Sequence, residues 1–179
     1  MSKIRKYLCL VALGPAREQL ATDLVNAVAR RGCSVAECRI APLGDHFSAA
    51  LMLTGDWSAM ARMESALPGL AEHMGLMIHY HQGQPMEDAA DFRPYSAEII
   101  APQQPHLLSE LLGFFTLQGT RIVEVSAQAF DSGLTGARMS TIHLALHVPM
   151  TQYPQALRDS FMDLCDDLHA DGLLDPVKT

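Results

Sequence analysis

Two copies of a βαββαβ unit, each a four-stranded antiparallel sheet with two helices on one face, are the α+β fold that this 179-residue sequence predicts. Three observations carry the prediction. The chain repeats itself at a nearly constant offset. Within each repeat, apolar runs of strand length alternate with helical stripes. The strands also come in two kinds, apolar on both faces or alternating, and that difference orders them within a sheet.

The repeat shows when Leu20 is laid on Leu107. Leu24 then falls on Leu111, Val25 on Leu112, Val28 on Phe115 and Gly32 on Gly119. The register continues with Val35 on Ile122 and Glu37 on Glu124. Farther along the offset grows, placing SAALML (48–53) on TIHLAL (141–146) and then Gly75-Leu76-Met77 on Gly172-Leu173-Leu174. Growth confined to loop positions is the mark of a duplicated fold with loop insertions.

In the first repeat, Tyr7–Leu13 reads as a strand apolar on both faces. Ala16–Arg31 reads as a helix, with Leu20, Leu24, Ala27 and Val28 on one stripe and Gly32 as its stop. Cys33–Pro42 alternates, setting Ala36, Cys38 and Ile40 against Val35, Glu37 and Arg39. Phe47–Thr54 is nearly all apolar. Asp56 or Ser58 offers a cap for a second helix running to Met74, with Pro68-Gly69 as its point of interruption. Leu76–Gln82 alternates again. The two-sided strands, first and third, belong in the middle of the sheet and the alternating ones at its edges. Central strands of that kind need cover on the open face as well, from the other repeat or from a second copy of the chain. The third strand of the second repeat is more polar, with His143, Ala145 and His147 on one face. The units are expected at 1–83 and 94–179, joined by a Pro- and acid-rich linker at 84–93.

Composition bounds the function. The chain is 49% hydrophobic and 18% charged, enough apolar material for a core. Its net charge of −7 and pI of about 5.5 argue against direct binding to nucleic acid, which needs basic patches to meet phosphates. No run is long enough for a transmembrane helix, and MSKIRKYLCLVALGPAR reads as a first strand and not as a signal peptide. Cys9, Cys33, Cys38 and Cys165 fit no zinc or redox spacing, as expected for thiols in a reducing, cytoplasmic setting. No nucleophile–base constellation or phosphate-cradling loop appears, so no catalytic residue, metal or cofactor is expected. His79, His81, His143 and His147 lack a completing ligand, and Ser132 lacks a base. The methionines at 52, 60, 63, 74, 77 and 86 read as core filling, with a partner surface as the alternative. Trp57 reads as a packing anchor, with a partner-binding hot spot as the alternative if it is exposed. Asp163, Asp166, Asp167 and Asp171 read as an acidic face of the last helix, either solvated or a docking patch for a basic partner.

Each first strand leaves through a similar corner, LGPAREQLA (13–21) and IAPQQPHLL (100–108). A helix beginning there presents unpaired N–H groups to a ligand. The candidate ligand-binding positions are therefore Gly14, Ala16, Arg17, Glu18 and Gln19 in the first corner, and Gln103, Gln104, Pro105 and His106 in the second.

With its corners, the chain resembles a double ACT domain, a tandem of ferredoxin-like units. More narrowly, it resembles the glycine cleavage system transcriptional repressor family. YLCLVALGPAREQL, RRGCSVAECRIAPLGDHFSAALMLTGDWSAMARMESALPGL, APQQPHLLSELLGFFTLQGTRIVEVSAQ and FMDLCDDLHADGLL carry the resemblance, nearly end to end. It implies a non-enzymatic negative regulator that acts through a DNA-bound LysR-type activator and responds to glycine or another small amino acid. Pairing with a second copy, as a homodimer, is also expected. ACT domains that bind amino acids usually carry D-R-P-G or a similar sequence at the corner. Here the positions hold Ala16-Arg17-Glu18-Gln19 and Gln103-Gln104-Pro105-His106, without the Asp and with Gln19 and His106 in place of Gly. Those side chains crowd the approach, and Glu18 near a helix start competes with a ligand carboxylate. Arg17 keeps the capacity to pair with a carboxylate, and Pro105 suits a first helical turn. The alternative reading is a stand-alone amino-acid sensor that modulates a metabolic enzyme.

Overall fold

Along the first strand, Leu8, Leu10 and Ala12 are buried, while Cys9, Val11 and Leu13 face the other way. That period of two puts one row of side chains under the helices and the other on the open face of a sheet. The computed structural model describes residues 6–85, 90–133 and 135–177, and the chain divides into two compact units, Met1–Glu87 and Asp88–Thr179. The first contains β1 (Lys6–Pro15), α1 (Leu20–Ala29), β2 (Ser34–Leu43), β3 (His46–Gly55), α2 (Trp57–Met74) and β4 (Met77–Gly83). The second contains β5 (Phe92–Pro102), α3 (Leu107–Leu117), β6 (Arg121–Asp131), β7 (Arg138–Pro149), α4 (Pro154–Asp167) and β8 (Asp171–Pro176). The sheets run β2-β3-β1-β4 and β6-β7-β5-β8, with antiparallel neighbours. Both units are ferredoxin-like, as expected, with the two-sided strands central.

Each core lies between one sheet face and its two helices. In the first unit, Leu8, Leu10, Leu51 and Leu53 cluster with Leu24, Val28, Met63 and Leu67. In the second, Ile99, Leu144 and Leu146 cluster with Leu111, Phe115, Leu157 and Phe161. The Phe115 and Phe161 rings lie 5.7 Å apart, and each buried side chain of this size contributes about 1.5–3 kcal/mol. Three of the methionines, Met60, Met63 and Met74, fill the first core, while Met86 lies outside the described residues. Among the described residues no helix is long and apolar enough to cross a membrane.

Four local expectations are corrected. Val35 and Ile40, expected on opposite faces of β2, both pack on the core, because Val35 pairs with Leu53 and Glu37 with Met52. Ala36 is thus an extra residue, a bulge that resets the alternation. The same bulge recurs at Val123 between Ile122 and Glu124. Second, α2 is not interrupted at Pro68: both Pro68 and Gly69 are exposed, so the carbonyl freed by proline reaches water while Leu67 and Met74 hold the core. Third, Leu13 pairs with Met77 and Ile100 with Asp171, so Gly75 corresponds to His169 and not to Gly172. Gly75 and His169 both take positive φ, 66° and 53°, where their helices end. Matching glycine to glycine misplaced the register by three. Fourth, Asp171 opens β8, which leaves Asp163, Asp166 and Asp167 on α4.

The open faces differ as the sequence suggested. In the first sheet Val11 is 53% and Met77 65% exposed. In the second, His143 stands opposite Glu98, its ring nitrogen 3.9 Å from the carboxylate, and Ala145 stands opposite Ser96.

Candidate functional site

Both corners are built the same way. The Ala16 N–H donates to the Asp45 carbonyl at 2.9 Å, and the Gln103 N–H donates to the Arg138 carbonyl at 2.9 Å. The chain then turns through one loose bond, from the Leu20 N–H to the Arg17 carbonyl at 3.5 Å or from the Leu107 N–H to the Gln104 carbonyl at 3.3 Å. Helices α1 and α3 therefore begin at Leu20 and Leu107, so α1 starts with the leucine stripe and not at Ala16 as expected. Ala16 and Gln103 spend their N–H groups on these straps. The main-chain N–H groups of Arg17, Glu18 and Gln19 have no partner among the described residues and are the donors left for a ligand. In the second corner Gln104 and His106 keep such a group, and Pro105 has none.

The corners differ at the position before the helix. Gln19 has φ 65° and ψ 0°, the left-handed region in which glycine is at ease and a side chain costs about 1–2 kcal/mol. His106 has φ −98° and carries no such strain. The first corner thus keeps the backbone shape of the glycine it lacks. The second has abandoned it.

Gly14 has a packing role. A Cβ there would stand 2.6 Å from the Gly75 carbonyl oxygen and 2.8 Å from the Leu76 side chain. Its bareness lets β1 pass the end of α2. Arg17 is likewise engaged: its guanidinium donates to the Met74 carbonyl, at the end of α2 where carbonyls have no helical partner. In the second corner the Arg138 Nε donates to Gln103 Oε1 at 3.2 Å, and another arm reaches Asp131 at 3.0 Å. Gln103, Gln104, Pro105 and His106 are all exposed.

Of the first corner's candidates, Arg17 and Glu18 line a groove of about 340 Å³ between α1 and α2, whose far wall includes Asn26, Arg30 and His73. Gly14, Ala16 and Gln19 do not line it. The groove mixes Arg17 and Arg30 with Glu18 and Asp23. That balance of charge suits a zwitterion better than a simple anion.

The remaining sequence candidates separate. His79 and His81 lie on the open face of the first sheet beside Val11 and Cys9, and His143 and His147 on the second. Among the described residues no group of three or more His, Cys, Asp or Glu is placed to hold a metal ion. Cys33 and Cys165 are buried, and burial pushes both thiols up, that of Cys165 to about 11. Such thiols are poor nucleophiles and poor ligands.

Trp57 corrects an expectation. It is not a packing anchor but is 69% exposed, beside a shallow cleft of about 780 Å³ that it shares with Arg30, Arg31 and Arg62. The signal was present in the spacing: Trp57 lies roughly a third of a turn away from the stripe of Ala59, Met63 and Leu67 that α2 buries.

Comparison with known proteins places this architecture. Residues 6–81 match the family model of the ACT domain. Over 171 residues the chain is 24% identical to the glycine cleavage system transcriptional repressor of Escherichia coli strain K12, covering 96% of this chain and 90% of that protein. The protein of the same name from Shigella flexneri matches equally. A crystal structure provisionally assigned as a glycine cleavage system transcriptional repressor superposes with a TM-score of 0.73 at 22% identity, covering 98% of this chain and 99% of that one. An unknown protein from Galdieria sulphuraria superposes at 0.75 with 18% identity, over 97% and 99% of the two chains. The chain thus resembles glycine cleavage repressors from end to end and shares their tandem fold.

Proposed function

We propose that this chain is a non-enzymatic, cytoplasmic regulator that represses glycine cleavage genes by contact with a LysR-type activator. It pairs with a second copy, and it answers to glycine or another small amino acid. The observation that carries the reading is the resemblance to repressors of that name across 96% of the chain. Composition agrees with it: at a net charge of −7, contact with a DNA-bound protein is favoured over contact with DNA.

The first corner is the better ligand site of the two. It retains the left-handed turn at Gln19, three free N–H groups, and a groove walled by Arg17 and Glu18. A ligand there would touch α1 and the end of α2 together and shift their fit to a partner. A coupling of about 1–3 kcal/mol, roughly 5- to 150-fold in affinity, is enough for regulation.

The test is affinity capture from native cytosol with the full chain as bait, with and without millimolar glycine, read by mass spectrometry. Recovery of a LysR-type activator in an amount that glycine changes is the expected result. Recovery of a metabolic enzyme in its place would select the sensor reading and overturn the repressor one.

A further inference from the structure

The strongest feature that the corners leave unused is the surface around Trp57. The chain carries 13 Lys and Arg against 20 Asp and Glu, yet three arginines converge here on an exposed tryptophan. Local bonds hold two of them in place. The Arg31 guanidinium donates to the Ala27 carbonyl at 2.8 Å, and that of Arg62 donates to the Arg31 carbonyl at 3.1 Å and to Ser58 Oγ at 2.5 Å. All these acceptors are neutral. No salt bridge joins Arg30, Arg31 or Arg62 to a carboxylate among the described residues, although Arg30 also lines the groove that holds Glu18 and Asp23. Trp and Arg on a shallow, pre-positioned surface are the residue types that dominate protein–protein contacts, whereas small ligands are held in deeper, more enclosed pockets.

The complement lies on the same chain. Asp159, Met162, Asp163 and Asp166 of α4 fall at helical spacings of three, four and seven, and so form one stripe. Met162 is 44% exposed, and the three aspartates are exposed around it. One surface has an exposed indole beside arginines, and the other an exposed thioether flanked on one side by carboxylates, with Arg158 on its other side held by Asp175. A thioether against an indole is a favourable contact in its own right, and carboxylates match the guanidinium fork.

We propose that the Arg30–Arg31–Trp57–Arg62 surface of one copy docks the Asp159–Met162–Asp163–Asp166 stripe of α4 in a second copy. Each chain carries both halves, so each of two copies has a surface to offer and one to receive. The inference rests on the pairing proposed above and names its surface.

Salt separates this contact from the background. At a net charge of −7, two copies repel, and salt would strengthen an association that ignores this surface. Docking of arginines on aspartates is instead weakened by salt. The experiment is sedimentation velocity of the purified full chain over a concentration series at low and high ionic strength. We expect dimers that loosen as salt rises. We also expect a roughly 10-fold or larger rise in dimer Kd for Arg30→Glu with Trp57→Ala, and likewise for Asp163→Arg with Asp166→Arg. Because either variant could be misfolded, the charge exchange Arg30→Glu with Asp163→Arg is the deciding one. It should return Kd to within about 3-fold of the unaltered chain, a coupling that only touching groups show. A monomer at every concentration would overturn both the pairing and this surface. A dimer unmoved by the reversals, strengthened by salt, or not rescued by the exchange would overturn the surface alone.

Discussion

The guanidinium of Arg17 donates to the main-chain carbonyl of Met74, fifty-seven residues later, and so ties the first corner to the end of α2. Any movement of the corner is therefore felt at α2. The bond also removes one of the carbonyls that a helix end leaves unpaired. Replacing Arg17 by Ala should cost about 1–2 kcal/mol in urea unfolding. Lys, with a single ammonium in place of the fork, should recover part of that loss. If the groove binds glycine, Arg17→Ala should also abolish the heat of glycine titration.

Gln19 at φ 65° sets up an opposite pair of outcomes. Gln19→Gly removes the strain of a side chain in the left-handed region and should raise stability by about 0.5–1 kcal/mol, a rise of a few degrees in Tm by calorimetry. His106→Gly, at φ −98°, relieves nothing and should lower stability by about 0.5–1 kcal/mol through the added freedom of the unfolded chain. Gln19→Gly should also tighten glycine binding, because it clears the approach to the free N–H groups.

Gly14→Ala should be among the most damaging single methyl additions in the first unit. Its Cβ would meet the Gly75 carbonyl oxygen at 2.6 Å, and a main-chain oxygen cannot swing aside as a side-chain tip can. A loss of about 1–3 kcal/mol is expected from the denaturant midpoint. In the second unit the matching position already holds Ala101, fully buried, so Ala101→Gly should cost no more than about 1 kcal/mol.

Burial raises the Cys165 thiol from its usual 9.0 to about 11. A folded-state value above the unfolded one means that the unfolded chain loses its proton first. The thiol's contribution is thus fully present below about pH 9 and is lost as pH climbs from there to about 11. The urea midpoint of the unaltered chain should fall more steeply across that window than that of Cys165→Ala. Thiol reagents should likewise modify exposed Cys38 in the native protein but reach buried Cys33 and Cys165 only on unfolding.

Much of the architecture was legible in the residues because burial enforces it. Leu8, Leu10, Leu51 and Leu53 had to share a face, and a strand apolar on both sides had to sit centrally, so the order β2-β3-β1-β4 follows from patterning. The duplication was legible for the same reason: Leu24 and Leu111, or Val28 and Phe115, occupy matching core positions. Bulges were not legible, since nothing about Ala36 or Val123 announces a lost partner. The end of the repeat was misread because His169 adopts at α4 the conformation that Gly75 adopts at α2, and a sequence records residue types and not φ angles.

The corners divide along the same line. Their place in the chain, their missing Asp and their altered Gly could be read from the sequence itself, since each is a matter of which residue follows a strand. The sequence alone thus determined a duplicated α+β fold, its strand order, its two cores and its acidic character. Only the tertiary structure decided that Arg17 is held by Met74, that Gly14 serves packing, that Gln19 alone keeps the left-handed turn and that Trp57 stands outside the core. The physical reason is range. Hydrophobic patterning acts through near neighbours on one element, whereas a hydrogen bond to a distant carbonyl, or the cost of a single methyl group, exists only once distant segments are brought into contact.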